Sequence, residues 1–125
     1  MSNVKLDPFA NQKYLSLESY RKTGAAVATP VWFAQDGDEL YIYSLAEAGK
    51  VKRIRNNPRV RIMPCDIRGG PKGEWVEATA RIIDGAEEDK AQRLLDKKYG
   101  LMKRIGNIYS RIMKRPRAAI AIRVD

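Results

Sequence analysis

The sequence contains no histidine and only one cysteine, Cys65, among its 125 residues. Without histidine, the chain cannot form Ser-His-Asp or Cys-His nucleophile pairs, His-ligated zinc or haem sites, or an imidazole acid or base that titrates near neutral pH. With one cysteine, it cannot form an intramolecular disulfide or a cysteine-cluster zinc site. Any chemistry must therefore be carried by other groups, and we interpret Cys65 as an inert, small hydrophobic residue.

The sequence also lacks a long hydrophobic run. Residues 1–8 are polar and lack the apolar centre of a signal peptide, and no segment approaches the ~20 apolar residues of a membrane span. We therefore expect a soluble, cytoplasmic protein. The acidic residues Asp36, Asp38 and Glu39 fall in a predicted turn, which explains them without a metal ion, so we expect no metal site.

Acidic residues are few relative to basic ones. The chain has 24 Lys and Arg against 15 Asp and Glu, which gives a formal net charge of +9. Such a charge calls for an anionic partner, which is a nucleic acid, a lipid surface or a phosphorylated small molecule. Two segments without any acid, 50–61 and 97–117, hold 14 of the 24 basic residues. The surplus is therefore local, and the second segment has no assigned role.

Alternating apolar and polar residues predict six strands joined mostly by short turns. They cover about 14–20, 25–33, 40–43, 60–64, 75–83 and 118–124. The dipeptide Asp36-Gly37 predicts a β-hairpin between the second and third strands. Pro30 lies inside the second strand, where it removes a ladder donor, so we expect an edge or a bulge there. The pattern is typical of an antiparallel sheet or small barrel with helices packed outside.

Apolar residues spaced three or four apart predict helices between these strands. A short basic helix over 49–56 ends before Pro58, and a second helix begins near Gly85 and is capped by Gly100. A third, amphipathic helix covers 101–113. We interpret residues 1–125 as a single domain, with residues 1–12 partly disordered.

The most specific local feature is the start of the first helix. Ser44 ends a strand, and a short loop of small residues leads to Gly49 and Lys50 in the first helical turn. A helix N-terminus has unpaired N–H groups and a partial positive charge, so a hydroxyl and an ammonium group beside it make a phosphate site. The alternative is a plain strand-to-helix connection with solvated lysines.

An ordered series of motifs resembles the pyridoxamine 5′-phosphate oxidase-like superfamily, and in particular its small deazaflavin (coenzyme F420)-dependent oxidoreductases. The series is TPVWF at 29–33, an acidic-Gly turn, LYIYS at 40–44 and GKVKRIRNNPRV at 49–60, continued by EATARI at 77–82 and KYGL at 98–101. The resemblance covers nearly the whole chain from about Tyr14. None of these motifs is diagnostic by itself, whereas their order is fairly specific.

The resemblance implies a mainly β fold, a split antiparallel six-stranded β-barrel of the FMN-binding type with short flanking helices. It also implies a homodimer that binds a flavin or deazaflavin at its interface. The implied cofactor-binding residues are Gly49, Lys50, Lys52 and Ser44 at the phosphate and Thr29, Pro30, Val31 and Trp32 along the ring. Arg81, Trp75 and Arg117 are candidates for contacts from the partner chain.

The flavin-binding oxidases of the superfamily carry an Arg-Lys pair at the phosphate, where this chain has Gly49-Lys50. The missing guanidinium favours coenzyme F420 over FMN, which is the alternative cofactor. The implied reaction is hydride transfer from reduced F420 to a small conjugated or electron-poor molecule, with a proton from water or Tyr43 and no other catalytic residue assigned. A non-catalytic flavin-binding protein is a second alternative. We expect no nucleic-acid partner, because the basic helices lack interleaved exposed aromatic residues.

Overall fold

The computed structural model describes residues 4–46, 48–105 and 117–125. These ranges contain one 3-10 helix, two α-helices and seven β-strands. In chain order they are the 3-10 helix Val4–Phe9, β1 (Tyr14–Tyr20), β2 (Ala26–Trp32), β3 (Ala34–Asp36), β4 (Glu39–Leu45), α1 (Gly49–Asn56), β5 (Arg59–Cys65), β6 (Val76–Ile83), α2 (Gly85–Ile105) and β7 (Arg117–Val124).

The seven strands form one antiparallel sheet in the order β2-β1-β5-β6-β7-β4-β3. The two edge strands, β2 and β3, follow each other in the chain and are separated only by Phe33. The sheet must therefore curl until both of its edges reach the same chain segment, as in a half-open barrel. The mainly β class is confirmed, and the curled antiparallel sheet agrees with the predicted split barrel.

The predicted number of six strands is wrong, because a further strand of three residues, β3, follows the predicted strand 25–33. The segment before Phe33 pairs with β1, whereas the segment after it pairs with β4. The hairpin at Asp36-Gly37 is present, but it joins β3 to β4, and Gly37 takes a φ of 60° there. Residue alternation reports which face of a strand is buried and does not report which neighbour the strand pairs with.

Pro30 lies on the edge strand β2, as its missing N–H required. Its neighbour across the ladder is Ser16 of β1, and none of the described strands lies on its other side. The expectation of an edge position is therefore confirmed.

The inside of the curled sheet holds the main hydrophobic core. Leu40 and Ile42 of β4 alternate with outward residues and are fully buried against Ile120 and Ile122 of β7. Helix α1 adds Val51 and Ile54, both buried, to this core. One side of α1 therefore packs on the sheet, and the start of the helix is held firmly against it.

Helix α2 packs on the outer face of the sheet. Ala91 contacts a cluster made of Tyr41, Ile83, Ala119 and Ala121, which come from β4, β6 and β7. The predicted C-cap at Gly100 is wrong, because α2 continues through this residue and Gly100 does not adopt a positive φ. No separate helix begins at residue 101, and the rest of the third predicted helix, from 106 on, lies outside the described residues.

The 3-10 helix Val4–Phe9 occupies part of the segment that the sequence predicted to be partly disordered. Leu6 and Phe9 are buried in the main core, and the ring of Phe9 contacts Phe33 edge-on at 6.1 Å. Two apolar side chains therefore attach this segment to the sheet. Within the described ranges, no helix has both the length and the apolar character that crossing a membrane requires.

Candidate functional site

The candidate site is built around the N-terminus of α1. Ala48 is the N-cap residue, with an extended conformation and no side chain that bonds to the first helical N–H groups, and the first turn contains no acidic residue. The helix therefore presents uncapped N–H groups and the positive end of its dipole. This local arrangement follows from the sequence, because Ala and Gly replace the usual Ser, Asp or Asn at the start of the helix.

Two cations of α1 lie close enough to repel each other. Burial is the main cause that lowers the pKa of Lys50, and the charge of Arg53 lowers it further. Burial likewise lowers the pKa of Arg53, with a second contribution from Arg21. No described carboxylate forms a salt bridge with Lys50, Arg53 or Arg21. We call these three residues the cation cluster.

The guanidinium of Arg53 contacts Ser19 through one nitrogen and approaches Gly49 with another. Its Nε donates a 2.7 Å hydrogen bond to Oγ of Ser19, which is fully buried on β1. Its terminal nitrogen folds back over Gly49, where an added Cβ would lie only 2.7 Å away. Glycine at position 49 therefore makes room for the guanidinium directly beside the helix start.

Thr29 adds an unsatisfied polar group to the same side of the sheet. Its Oγ1 is buried and has no hydrogen-bond partner among the described residues. Thr29 is opposite Leu17 in the ladder, and Ser19 is the next inward-facing residue on β1. Two residues along a strand span about 7 Å. The orphaned hydroxyl thus lies on the face that also carries the anchor of Arg53.

The other residues predicted along the ring divide between the two faces of β2. Val31 is buried in the main core, on the side of Thr29. Pro30 is exposed, and Trp32 stacks on Tyr99 of α2 at 4.5 Å with an interplanar angle of 3°. A single strand therefore presents an apolar inward surface with one hydroxyl, that of Thr29, and an outward surface that carries Pro30 and Trp32.

The remaining predicted phosphate residues also occupy different environments. Ser44 is buried at the end of β4, on the inward side shared with Leu40 and Ile42. Lys52 is exposed, and its position two residues after Lys50 turns it to another side of the helix. The structure thus brings Gly49 and Lys50 together with Arg53, which Ser19 of β1 anchors, and it does not bring Lys52 into the cation cluster.

Sequence reasoning missed Arg53, Ser19 and Tyr99. The signal for Arg53 was available, because residues three apart in a helix lie on adjacent positions and Arg53 follows Lys50 by three. Ser19 carried no signal, since its role depends on α1 packing against β1. Tyr99 resembled an ordinary core residue of an amphipathic helix.

The predicted proton donor Tyr43 and two candidates for partner-chain contacts, Arg81 and Trp75, form contacts within this chain. The Tyr43 hydroxyl donates to the carbonyl of Glu88 at 2.9 Å, so its hydrogen is directed at α2. Arg81 is paired with Glu39 and Glu87, and Trp75 lies under the guanidinium of Arg61 at 5.0 Å. These contacts occupy the groups on the outer surface of the sheet.

Cys65 is buried, and this burial raises the pKa of its thiol. A raised pKa reduces the thiolate fraction, which is the reactive form. The interpretation of Cys65 as a small hydrophobic residue agrees with both observations.

Solved structures share this fold although their sequences differ widely. The haem storage protein HutZ from Vibrio cholerae is 16% identical, with a TM-score of 0.68 over 100% of this chain and 92% of that one. An F420 reductase is 20% identical, with a TM-score of 0.59 over 96% of this chain and 92% of that one. An FAD-binding protein from Mesorhizobium loti is 15% identical, with a TM-score of 0.64 over 100% and 89%.

These three proteins are named for different cofactors, so the shared fold does not by itself identify a ligand. No curated protein matches the chain in sequence. The family model of pyridoxamine 5′-phosphate oxidase matches residues 5–125, which is nearly the whole length, and the chain therefore belongs to the pyridoxamine 5′-phosphate oxidase family.

Proposed function

We propose that this protein binds the deazaflavin coenzyme F420 and transfers hydride from its reduced form to a small conjugated or electron-poor molecule. The observation that carries the proposal is the cation cluster at an uncapped helix start, with no described carboxylate paired to it. Charges of one sign are held together at a cost in stability unless a counterion joins them. A phosphate is the counterion that this geometry accommodates.

The donor set fits a phosphate group. Lys50 offers an ammonium, Arg53 offers a planar fork of N–H donors, and the first turn of α1 offers backbone N–H groups. Because Ser19 already orients the guanidinium, less side-chain entropy is lost when the fork binds. A bound phosphate would also offset the desolvation, and the repulsion from Arg53, that lower the pKa of Lys50.

Strand β2 fits the ring system of the same cofactor. Thr29 has a buried hydroxyl with no partner in the described part of the chain, and this hydroxyl can donate a hydrogen bond to a polar ring edge or accept one from it. Pro30 is exposed on an edge strand, so a ring or a second copy of the chain can approach it. We propose that the protein is a homodimer in which the partner covers this side.

The bound deazaflavin would supply the hydride, and the residues of the chain would bind and orient it. This division explains how a chain without histidine can serve a redox reaction. Since the hydroxyl hydrogen of Tyr43 is directed at α2, we propose water as the proton source.

FMN is a second candidate cofactor, and the position of Arg53 favours it. The sequence disfavoured FMN because this chain has Gly49 before Lys50, where the flavin-binding oxidases have an arginine. The guanidinium of Arg53 folds over Gly49, so the structure supplies this group from one turn further along the helix. The argument against FMN is therefore weaker than the sequence suggested.

The test incubates the purified protein separately with F420 and with FMN, removes free ligand on a desalting column, and records the absorbance spectrum and the melting temperature. We expect F420 to be retained, and reduced F420 to be oxidised when electron-poor acceptors are added. A ligand at 100 times its Kd raises stability by about 2.7 kcal/mol.

Each alternative predicts a different result in this experiment. Retention of FMN alone would support the second candidate, and F420 binding without oxidation across the acceptors would indicate a non-catalytic binding protein. If neither chromophore is retained and neither raises the melting temperature, the proposed function is wrong. DNA titrated at two salt concentrations serves as a further control, because a nucleic-acid-binding protein would show a steep salt dependence.

A further inference from the structure

The change of pairing partner between β2 and β3 has its cause at Phe33. The last pair between β1 and β2 is Tyr14 with Trp32, and the next residue pair would be Lys13 with Phe33. Instead, the backbone N–H of Phe33 donates to the Tyr99 hydroxyl at 3.1 Å. The hydroxyl oxygen in turn lies 2.8 Å from the carbonyl oxygen of Phe33 and 2.7 Å from that of Lys13. One side-chain group therefore stands where a ladder bond would otherwise form.

Tyr99 is well suited to hold this position. Its ring is fully buried, and burial is the main cause that raises the pKa of its hydroxyl, which therefore remains a donor. The single hydrogen can serve either carbonyl oxygen, while the oxygen accepts from Phe33. Because the backbone N–H and carbonyl of Phe33 are buried, losing the hydroxyl would leave them without this partner.

The same side chain sets the orientation of Trp32. The two rings are stacked at 4.5 Å and are nearly parallel, at 3°. Trp32 is directly before Phe33 in the chain. Tyr99 therefore contacts the backbone of Phe33, directly after β2, and the side chain of Trp32, the last residue of β2.

We propose that Tyr99 is a positioning residue, which fixes the end of β2 and the Trp32 ring and thereby sets the ring-binding part of the cofactor site. The proposal rests on the proposed function, in which β2 lines the ring. It assigns different tasks to the two helices: α1 binds the phosphate, and α2, through Tyr99, orients the ring contacts.

The test compares Tyr99→Phe with the matched control Tyr41→Phe. Tyr41 is also buried between the sheet and α2, but its hydroxyl donates to Glu39 and not to the backbone of β2. For each variant, NMR measures amide hydrogen exchange, and titrations measure the Kd for F420, FMN and inorganic phosphate.

In Tyr99→Phe, we expect faster exchange at the amide of Phe33, with the amides of α1 unchanged. The Kd for the cofactor should rise about tenfold, as expected from losing one buried hydrogen-bonding group. The Kd for inorganic phosphate should stay within a factor of two of the unsubstituted protein, since phosphate alone needs only α1. Tyr41→Phe should leave all of these quantities unchanged.

A second pair of variants tests whether Tyr99 acts through Trp32. In a Trp32→Ala background, Tyr99→Phe should weaken cofactor binding by less than it does alone, because the two residues share one effect. Equal losses in both backgrounds would contradict the proposal. So would unchanged cofactor affinity in Tyr99→Phe, or an equal loss of affinity for inorganic phosphate. If the unsubstituted protein binds neither cofactor, the proposed function itself is wrong, and this result does not depend on Tyr99.

Discussion

Two basic regions of this protein differ in whether their charges have partners. On the outer face of the sheet, Arg81 pairs with Glu87 at 2.7 Å and with Glu39 at 3.2 Å, and Arg123 also reaches Glu39 at 3.4 Å. At the start of α1, Lys50, Arg53 and Arg21 have no salt bridge to a described carboxylate. Arginine thus occurs in two settings: it attaches elements to each other where carboxylates pair with it, and it is available to an external anion where no described carboxylate does.

The paired region attaches a helix to the sheet. Glu87 lies in the first turn of α2, where a negative charge also favours the helix dipole, and the bond from Arg81 lowers the pKa of Glu87. Lys90 of α2 forms a salt bridge with Asp36 of β3. These contacts satisfy their own charges, so no external ion is needed. The cation cluster differs, since a bound anion would offset the repulsion among its positive charges.

Among the variants that test the difference between the two regions, Lys50→Glu should have the largest effect on cofactor affinity. The substitution removes a phosphate donor and places a carboxylate beside Arg53, which would then be neutralised internally. We expect the Kd for the cofactor to rise at least about 100-fold, equivalent to about 3 kcal/mol. Titration of cofactor absorbance or fluorescence measures the change.

The matched control is Arg55→Glu, which makes the same charge change on an exposed position of the same helix. Its effect on the Kd should be less than about threefold, because screening weakens a distant, exposed charge. The melting temperature of ligand-free Lys50→Glu should not fall, since the like-charge contact is lost. Similar affinities for the two variants would remove Lys50 from the site.

A smaller effect is expected in the paired region. Arg81→Gln removes both salt bridges of Arg81 and leaves the partly buried Glu39 with Arg123 and the Tyr41 hydroxyl as partners. We expect the free energy of unfolding to fall by up to about 1 kcal/mol, as for a partly exposed charge network, with no change in cofactor affinity. Urea denaturation measures the first quantity, and the exposed Arg93→Gln of α2 provides the control. A weaker cofactor affinity in Arg81→Gln would contradict the separation of the two regions.

The smallest effect concerns Lys98, which belongs to neither region. Lys98 is exposed as a whole residue, but its Nζ lies 3.6 Å from the centre of the buried Phe33 ring, and desolvation lowers the pKa of Lys98 to about 8. The unfolded chain therefore binds the extra proton between pH 8 and the ordinary pKa of 10.5. Stability from this group is lowest below pH 8 and rises as the pH increases through that range.

We therefore expect the unfolding free energy of the unsubstituted protein, relative to Lys98→Met, to increase between pH 7 and pH 10. Melting temperatures of both proteins across this range measure the difference, in which the other titrating groups cancel. A difference that stays constant with pH would show that Phe33 does not desolvate the ammonium group.

Much of the local structure could be predicted from the sequence. The limits of β1 and α1 agree with the predicted ranges 14–20 and 49–56. Their signals are local, since alternation marks β1 and Pro58 stops α1. The edge position of Pro30 could also be predicted locally, because the missing N–H of this one residue cannot donate a hydrogen bond to a neighbouring strand.

The candidate site was only partly predictable. The helix start and Lys50 follow from neighbouring residues, and they remain in the proposed site. Arg53 enters it because α1 packs against β1 and brings the guanidinium to Ser19, which is 34 positions away. Lys52 was included because the family resemblance implied it, and the structure leaves it exposed.

The sequence by itself determined the family, the mainly β class and the basic helix start, because these depend on composition and on patterns within short segments. The tertiary structure decided which cations have no salt bridge to a described carboxylate, and where the chain passes from β2 to β3. Both depend on contacts between distant positions, such as the Tyr99 hydroxyl at Phe33, 66 positions apart. No local pattern reports such a contact, since the hydroxyl reaches the strand only after α2 has packed on the sheet.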